Sequence, residues 1–271
     1  MGENHGKKIT ISCVRNVFSY GRMPEKKTAK QKITTTGETK KETSSQVSSI
    51  VSKDEVKQKK EKVRIAIDAG HQKKQMTSQE PIGPGTSKTK PAVSSGTEGV
   101  VTKKPEYEVT LELSLKLKKE LQSRGYDVYM IRETNDVTLS NRDRAEMANK
   151  SGAALFLRIH CNSAEDASVH GVLTMCPGDS NPYCTKSVIA NSVRLAKDVG
   201  NGLSQKSGAK NRGMIKTDEM SGINWCKIPV TIVETGFMSN PEEDQKLSDS
   251  NYQKLLVQGI ADGVDQYINH K

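Results

Sequence analysis

The apolar residues of this chain fall into two periodicities. Short unbroken runs bounded by turn residues occur at 63–67 (VRIAI), 127–132 (DVYMIR), 154–160 (ALFLRIH), 171–175 (GVLTM) and 229–233 (PVTIV). Such runs predict buried strands. Between them the apolar positions spread to helical spacing. Glu106 opens a helix whose apolar face is drawn from Val109, Leu111, Leu113, Leu115, Leu117 and Leu121, and Gly125 stops it. Further helices are predicted over 139–150, capped by Thr138 or Ser140, over 187–207 and over 252–269. Strands alternating with helices predict an α/β fold, a mostly parallel sheet covered on both faces. Two stretches break the pattern. Residues 72–105 are polar and rich in Gly, Pro and Ser, the mark of a functional or disordered loop. Residues 1–62 hold only a weak apolar pattern (Ile9, Ile11, Val14, Val17, Phe18) followed by a Lys/Thr/Ser/Glu/Gln-rich segment. Such a segment buries too little surface to offset its ordering entropy. The expected organisation is a disordered segment over 1–62 and one folded domain over 63–271.

Composition agrees with that division. Apolar residues make up 33% and aromatics 4% of 271 residues, too few for a core running through the whole chain. Of the formal charge of +10, residues 1–62 carry +8, from 15 Lys/Arg against 7 Asp/Glu. The basic character belongs to the tail, a solvated spacer whose lysines suit an anionic partner such as a wall polymer, a membrane surface or nucleic acid. No aromatic residue interleaves with the lysines of 24–62, which argues against a single-strand nucleic-acid platform. No apolar run reaches membrane-spanning length, and the first residues lack the apolar core of a signal peptide. The five cysteines form no CxxC pair, so a thiolate zinc knuckle is not expected. Cys176 and Cys184 flank a turn-rich loop, PGDSNPY, and are either two free thiols or, in an exported protein, a disulfide.

The chemistry gathers at strand ends. The first strand runs into Asp68, Ala69, Gly70 and His71, the third ends at His160, and the last leads into Glu234. Ligands of open α/β sheets sit beyond the carboxyl ends of the strands. A catalytic zinc site takes three N or O ligands and keeps one open position. His71 and His160 supply two nitrogens, and Glu106, at the start of a helix, can supply an oxygen. Glu234 then serves as general base. No short local motif such as HExxH supports this set, and on spacing alone the two histidines are either ligands or strand-end caps.

Longer motifs decide between these readings. IAIDAGH, PEYEVTLELSLKLKKEL, DVYMIRETNDVTLSNRDRAEMANKSGAALFLRIHCNS and IPVTIVETGFMSNPEEDQKL together resemble the zinc-dependent N-acetylmuramoyl-L-alanine amidases of the amidase-3 type. They do so in the family's order and across residues 63–268. The resemblance implies a phosphorylase/hydrolase-like α/β fold with a six-stranded sheet. It implies one zinc ion held by His71, Glu106 and His160, with Glu234 as the catalytic carboxylate. The implied reaction is hydrolysis of the amide between N-acetylmuramic acid and the L-alanine of the peptidoglycan stem peptide, outside the cytoplasm. Peptidoglycan is then the partner, with an anionic wall polymer on the basic segment and a protein activator as further expectations. Two departures stand out. Ala69 occupies the family's usual proline position, and the loop after His71 is long and similar to that of members from Gram-positive anaerobes related to clostridia. Glu108 is the rival to Glu106 as ligand.

Other residues carry open assignments. Asp68 either buttresses His71 or turns the chain, and Arg144 and Asn149 pack and cap a helix. Arg158 is a candidate for substrate carboxylates, and Asn162 for the cleft wall. Cys161 reads as a small buried residue. Trp225 is either core or a substrate contact, and Gly236 and Asn240 shape the turn after Glu234. Two other function classes compete with the amidase: a catalytically silent wall-binding or regulatory domain, and a zinc peptidase cutting within the stem peptide.

Overall fold

The structure, a computed structural model, describes residues 62–269. The expectations for residues 1–61 lie outside them. A six-stranded sheet forms the centre. In chain order its strands are β1 (Arg64–Ala69), β4 (Asp127–Met130), β5 (Leu155–Asn162), β6 (Val172–Pro177), β7 (Asn211–Thr217) and β8 (Val230–Phe237), while β2 (Met76–Pro81) and β3 (Thr89–Val93) form a separate antiparallel hairpin. The spatial order is β4-β1-β5-β8-β6-β7. The first four are parallel, β6 runs antiparallel to β8, and β7 is parallel to β6. Every residue of β5, β6 and β8 is buried, as befits strands covered on both faces.

The helices are α1 (Glu106–Ser123), α2 (Asn141–Lys150), α3 (Lys186–Ser207), α4 (Ser221–Asn224), α5 (Pro241–Ser248) and α6 (Ser250–Asn269). α1, α3 and α6 cover one face, where Ile65, Leu157 and Ile159 meet Leu113, Leu195 and Ile260. α2 and α4 cover the other, where Ala66, Phe156 and Ile232 meet Ala145 and Ile223. The apolar face of α1 is narrower than its leucine count suggests. Val109, Leu113, Leu117 and Leu121 are buried, and Leu111 and Leu115 only half so, a one-in-four stripe. Ser140, rather than Thr138, caps α2, in a reciprocal capping box with Asp143. Gly208, at φ 71, ends α3 in the left-handed conformation. α3 and α6 meet backbone to backbone: a Cβ on Gly263 would lie 2.4 Å from the Cα of Val199.

The polar stretch 72–105 is better ordered than its composition suggests. Its β2–β3 hairpin is tied to the body by side chains from elsewhere. Trp225 Nε1 donates to the Pro81 carbonyl, Asn224 to that of Ile82 and Asn141 to that of Ala92. Trp225 also packs beneath the Arg142 guanidinium, 4.2 Å from its ring centre, so its role here is packing. Cys161, Cys176, Cys184 and Cys226 are all free thiols.

Candidate metal centre and active site

The end of β1 is fixed by buried cations. Thr110 Oγ1 donates to the carbonyl of Gly70 (2.8 Å). Arg132 donates to the carbonyls of Ala69 and Gly70, and Arg144 to those of Ala69 and His71. Asp68, fully buried, balances the charge by accepting from Arg144 (2.6 Å) and from Arg158 (2.9 and 3.1 Å). Burial alone would raise the Asp68 pKa, but the two guanidinium groups overcome it and hold the carboxyl at about 2. Asp68 therefore serves the strand end through Arg144 and makes no direct bond to His71. Arg158, taken up by Asp68 and Asn141, is buried and unavailable to substrate. His71 itself sits at φ 59, a left-handed conformation that non-glycine residues adopt only when the surroundings impose it.

Around this strand end three predicted residues converge. His71, Glu106 and His160 are buried, with one potential ligand atom from each within 4.8 Å of the others. The Glu106 carboxylate lies between the rings, Oε2 3.2 Å from His71 Nε2 and Oε1 3.1 Å from His160 Nδ1. Backbone amides hold it there: Thr97 N donates to Oε2 and Cys161 N to Oε1. The rings stand nearly perpendicular, with centroids 4.8 Å apart. His71 Nδ1 is 2.9 Å from the carbonyl of Ser94, which only accepts. Nδ1 therefore carries hydrogen, and in the neutral ring Nε2 turns a lone pair toward a carboxylate. Lone pair facing carboxylate is repulsive unless a proton or a cation lies between them. Burial works against a charged His71, yet the Glu106 charge prevails and raises its pKa. For His160 burial prevails, with the neighbouring His71 adding to it, and the pKa falls to about 4. The Nε2 of His160 has no partner. Two imidazoles and a carboxylate, buried and mutually close, are a donor set that suits a divalent cation of the zinc type. Glu108, two positions further along α1, lies outside this cluster.

Glu234 on β8 pairs in register with His160. It is buried, Oε2 has no hydrogen-bond partner, and burial followed by the Glu106 charge raises its pKa well above the usual carboxylate range. His71, Glu106, Asn162 and Glu234 line a cavity of about 190 Å³ whose opposite wall is the loop 94–97. That loop fits closely. Gly96 has φ 81, and a Cβ there would come within 2.7 Å of Glu106 Oε2 and 2.9 Å of the His71 ring, so only glycine is accommodated. A larger depression of about 410 Å³ lies around Lys210, Lys246 and Tyr252. Its buried carboxylate, Glu243, is occupied by the amides of Gly171 and Phe237, and the chemistry lies in the smaller cavity.

The sequence singled out the converging residues but not what orients them. Ser94, Gly96 and Thr97 belong to a run, SSGTEG, whose only signal was turn composition. Arg132 looked like the end of a strand. Cys161 is buried with its thiol pKa raised by burial, as a non-nucleophilic residue should be. Asn240 caps α5 by accepting from the amides of Glu242 and Glu243.

The model of the family described as N-acetylmuramoyl-L-alanine amidase (amidase-3) matches residues 65–266. The chain belongs to the amidase-3 family. Among curated relatives of this amidase-3 chain, N-acetylmuramoyl-L-alanine amidase LytC of Bacillus subtilis is 32% identical over 162 residues, which make up 60% of this chain and 31% of that protein. The probable cell wall amidase LytH of Staphylococcus aureus is 26% identical over 190 residues, 69% of this chain and 57% of the relative. The chain thus spans less than two thirds of either. Among solved structures, the N-acetylmuramyl-L-alanine amidase Ami1 of Mycobacterium smegmatis superimposes with a TM-score of 0.69 at 21% identity, covering 77% of this chain and 98% of that one. The amidase-3 fold is shared over essentially the whole of that enzyme.

Proposed function

We propose that this amidase-3 chain is a zinc-dependent N-acetylmuramoyl-L-alanine amidase, hydrolysing the amide between the lactyl group of N-acetylmuramic acid and the L-alanine of the stem peptide. The observation that carries the reading is the buried cluster of His71, Glu106 and His160 beside an unpartnered Glu234. His71 through Nε2, Glu106 through its carboxylate and His160 would hold the ion. What zinc contributes in such a site is Lewis acidity, lowering the pKa of water and polarising a carbonyl. Ser94 fixes the His71 tautomer, the two imidazoles keep Glu106 ionised against its burial, and the Thr97 and Cys161 amides aim it. Glu234 moves the proton. A carboxyl whose pKa has been raised is suited to accept one from attacking water and return it to the departing alanine nitrogen.

In this reading residues 63–271 are the catalytic domain and the basic segment 1–62 is its tether, whose lysines meet anionic wall polymer. Peptidoglycan is the substrate, and the site of action is outside the cytoplasm. Among the described residues no helix is long and apolar enough to cross a membrane. A protein activator that supplies or retains the ion is part of the proposal.

The test incubates peptidoglycan with zinc-loaded protein, chelated protein and Glu234→Gln, with products resolved by mass spectrometry. Zinc-dependent release of intact stem peptides bearing a free N-terminal alanine, lost in Glu234→Gln, is expected. Cleavage inside the stem would make the protein a peptidase. Bound zinc with no release would point to a missing activator or to a binding domain.

A further inference from the structure

We propose that Asn162 is a substrate-contacting residue, its side-chain NH2 donating a hydrogen bond to the carbonyl oxygen of the scissile amide as that oxygen gains negative charge. The proposal rests on the amidase reading above.

Asn162 closes β5 on the rim of the 190 Å³ cavity. Alternation along β5 sends Leu157, Ile159 and Cys161 into the core beneath α1 and α6, and Phe156 toward α2 and α4. His160 and Asn162 continue the Phe156 side. The register irregularity between β5 and β8 sets Asn162 opposite Phe237, after His160 opposite Glu234. Two residues of β5 there span three of β8, so the extra residue belongs to β8 and the alternation of β5 is intact. Asn162 and the Glu234 of the neighbouring strand therefore serve one cavity, beside His160.

The orientation of the amide is settled by its neighbours. Asn162 Oδ1 accepts from Ser163 N at 2.8 Å. A backbone N–H requires an acceptor, which identifies that atom as oxygen and the other as the NH2. The backbone is fixed as well, the Asn162 carbonyl accepting from Met238 N at 2.8 Å. The side chain is 4% exposed, and Nδ2 has no partner. Folded proteins seldom leave a buried donor unmatched without a reason such as an arriving ligand. Among the described residues with an unpartnered buried side-chain polar atom, only Asn162 and Glu234 line this cavity. One is a fixed donor and the other a proton carrier. Amide hydrolysis needs that pair: a carbonyl oxygen gains charge while a proton leaves water for the amine.

The balance of the step is simple. The water oxygen bonds to the carbonyl carbon, and the carbonyl π pair moves onto oxygen, where Asn162 donates. The pair then returns as the carbon–nitrogen bond breaks. Glu234 takes the proton from water and delivers it to the alanine nitrogen, and Asn162 keeps both of its own hydrogens.

The experiment uses zinc-loaded full-length protein and a soluble muramyl-peptide. It compares wild type, Asn162→Ala and Asn162→Asp, the last isosteric and still an acceptor for Ser163 N. kcat and KM are determined separately, bound zinc by elemental analysis, and folding by thermal unfolding. Loss of one such donor lowers kcat about 100- to 1000-fold. That loss is expected in both variants, with KM within about threefold of wild type because the bond matters only as charge develops, and with zinc content unchanged. Should Asn162→Ala not fold, Asn162→Asp carries the same expectation. An active wild type with an equally active Asn162 variant overturns this inference alone, as does a loss confined to KM or to bound zinc. A wild type that releases no stem peptide overturns the amidase reading and this inference with it.

Discussion

Asp68→Asn removes the single anion that two buried guanidinium groups share. Asp68 is fully buried and accepts three bonds, one from Arg144 and two from Arg158. An asparagine keeps one acceptor, replaces the other by a donor aimed at a guanidinium, and leaves two positive charges without a counter-ion. Breaking a buried pair in this way destabilises by about 3–5 kcal/mol. In a domain of this size 1 kcal/mol corresponds to roughly 2–4 °C, so thermal unfolding should fall by about 6–20 °C. Acid titration gives a second reading. The Asp68 pKa is depressed to about 2 from an ordinary 3.8, so its contribution is full above pH 4 and disappears as pH falls through 2. At 1.36 kcal/mol per unit that amounts to about 2.5 kcal/mol. Urea titrations of wild type should lose that amount over this interval, and those of Asp68→Asn should not. Adding Arg158→Met removes one stranded charge and should recover part of the loss. Because Arg144 also grips the carbonyl of His71, zinc affinity should weaken about 10- to 100-fold in Asp68→Asn. A variant melting within 2 °C of wild type, with the same acid limb, would refute the reasoning.

Two further predictions follow from the packing and the site. Gly263→Ala would ordinarily favour a helix by about 1 kcal/mol, but its Cβ would meet Val199 Cα at 2.4 Å and Asp198 O at 2.6 Å, backbone atoms that cannot turn aside. Forced separation of α3 from α6 costs about 1–3 kcal/mol, so the variant should melt below wild type; a rise in melting temperature would show that the helices part freely. Zinc at about 100 times its Kd should stabilise the folded protein by about 2.7 kcal/mol, seen as a rise of roughly 5–11 °C by scanning calorimetry. Chelator should abolish the rise and Glu106→Gln should lack it; an unchanged melting temperature would remove His71, Glu106 and His160 as an ion site.

The central strands and long helices were legible because burial on both faces writes unbroken aliphatic runs, as in 154–160, and one-sided burial writes a spaced face, as in α3. β7 was not, since an edge strand half open to water (NRGMIKT) holds only Met214 and Ile215 as large apolar residues. The β2–β3 hairpin was hidden for a related reason: MTSQEP and TKPAV are held by Trp225, Asn224 and Asn141 from distant parts of the chain. At the site, strand ends announced where His71, His160 and Glu234 emerge, but that they belong with Glu106 in one cluster was legible through the longer motifs that resemble the amidase-3 family. The pairing of Asp68 with Arg144 and Arg158 stayed open in the sequence, where Arg158 was also a candidate for substrate, since a one-dimensional pattern cannot show that a cation's counter-ion sits ninety residues away. The grip of Ser94 and Thr97 on His71 and Glu106 was likewise hidden inside a loop whose composition indicated only turns.

The strand order has a kinetic consequence. β1, β5 and β8 lie side by side although they begin at residues 64, 155 and 230, and each parallel pairing must close a long loop before it gains any contact. His160 is not brought beside His71 and Glu106 until β5 docks, and Glu234 joins only with β8. An ion bound across these elements therefore has no purchase on the early chain and cannot nucleate its collapse, unlike the ion of a small zinc module whose ligands are neighbours in sequence. Its influence falls on the escape rate from the finished state. Zinc should leave the refolding limb of a chevron where it is and lower the unfolding limb, making the metal a latch on a fold that has already formed.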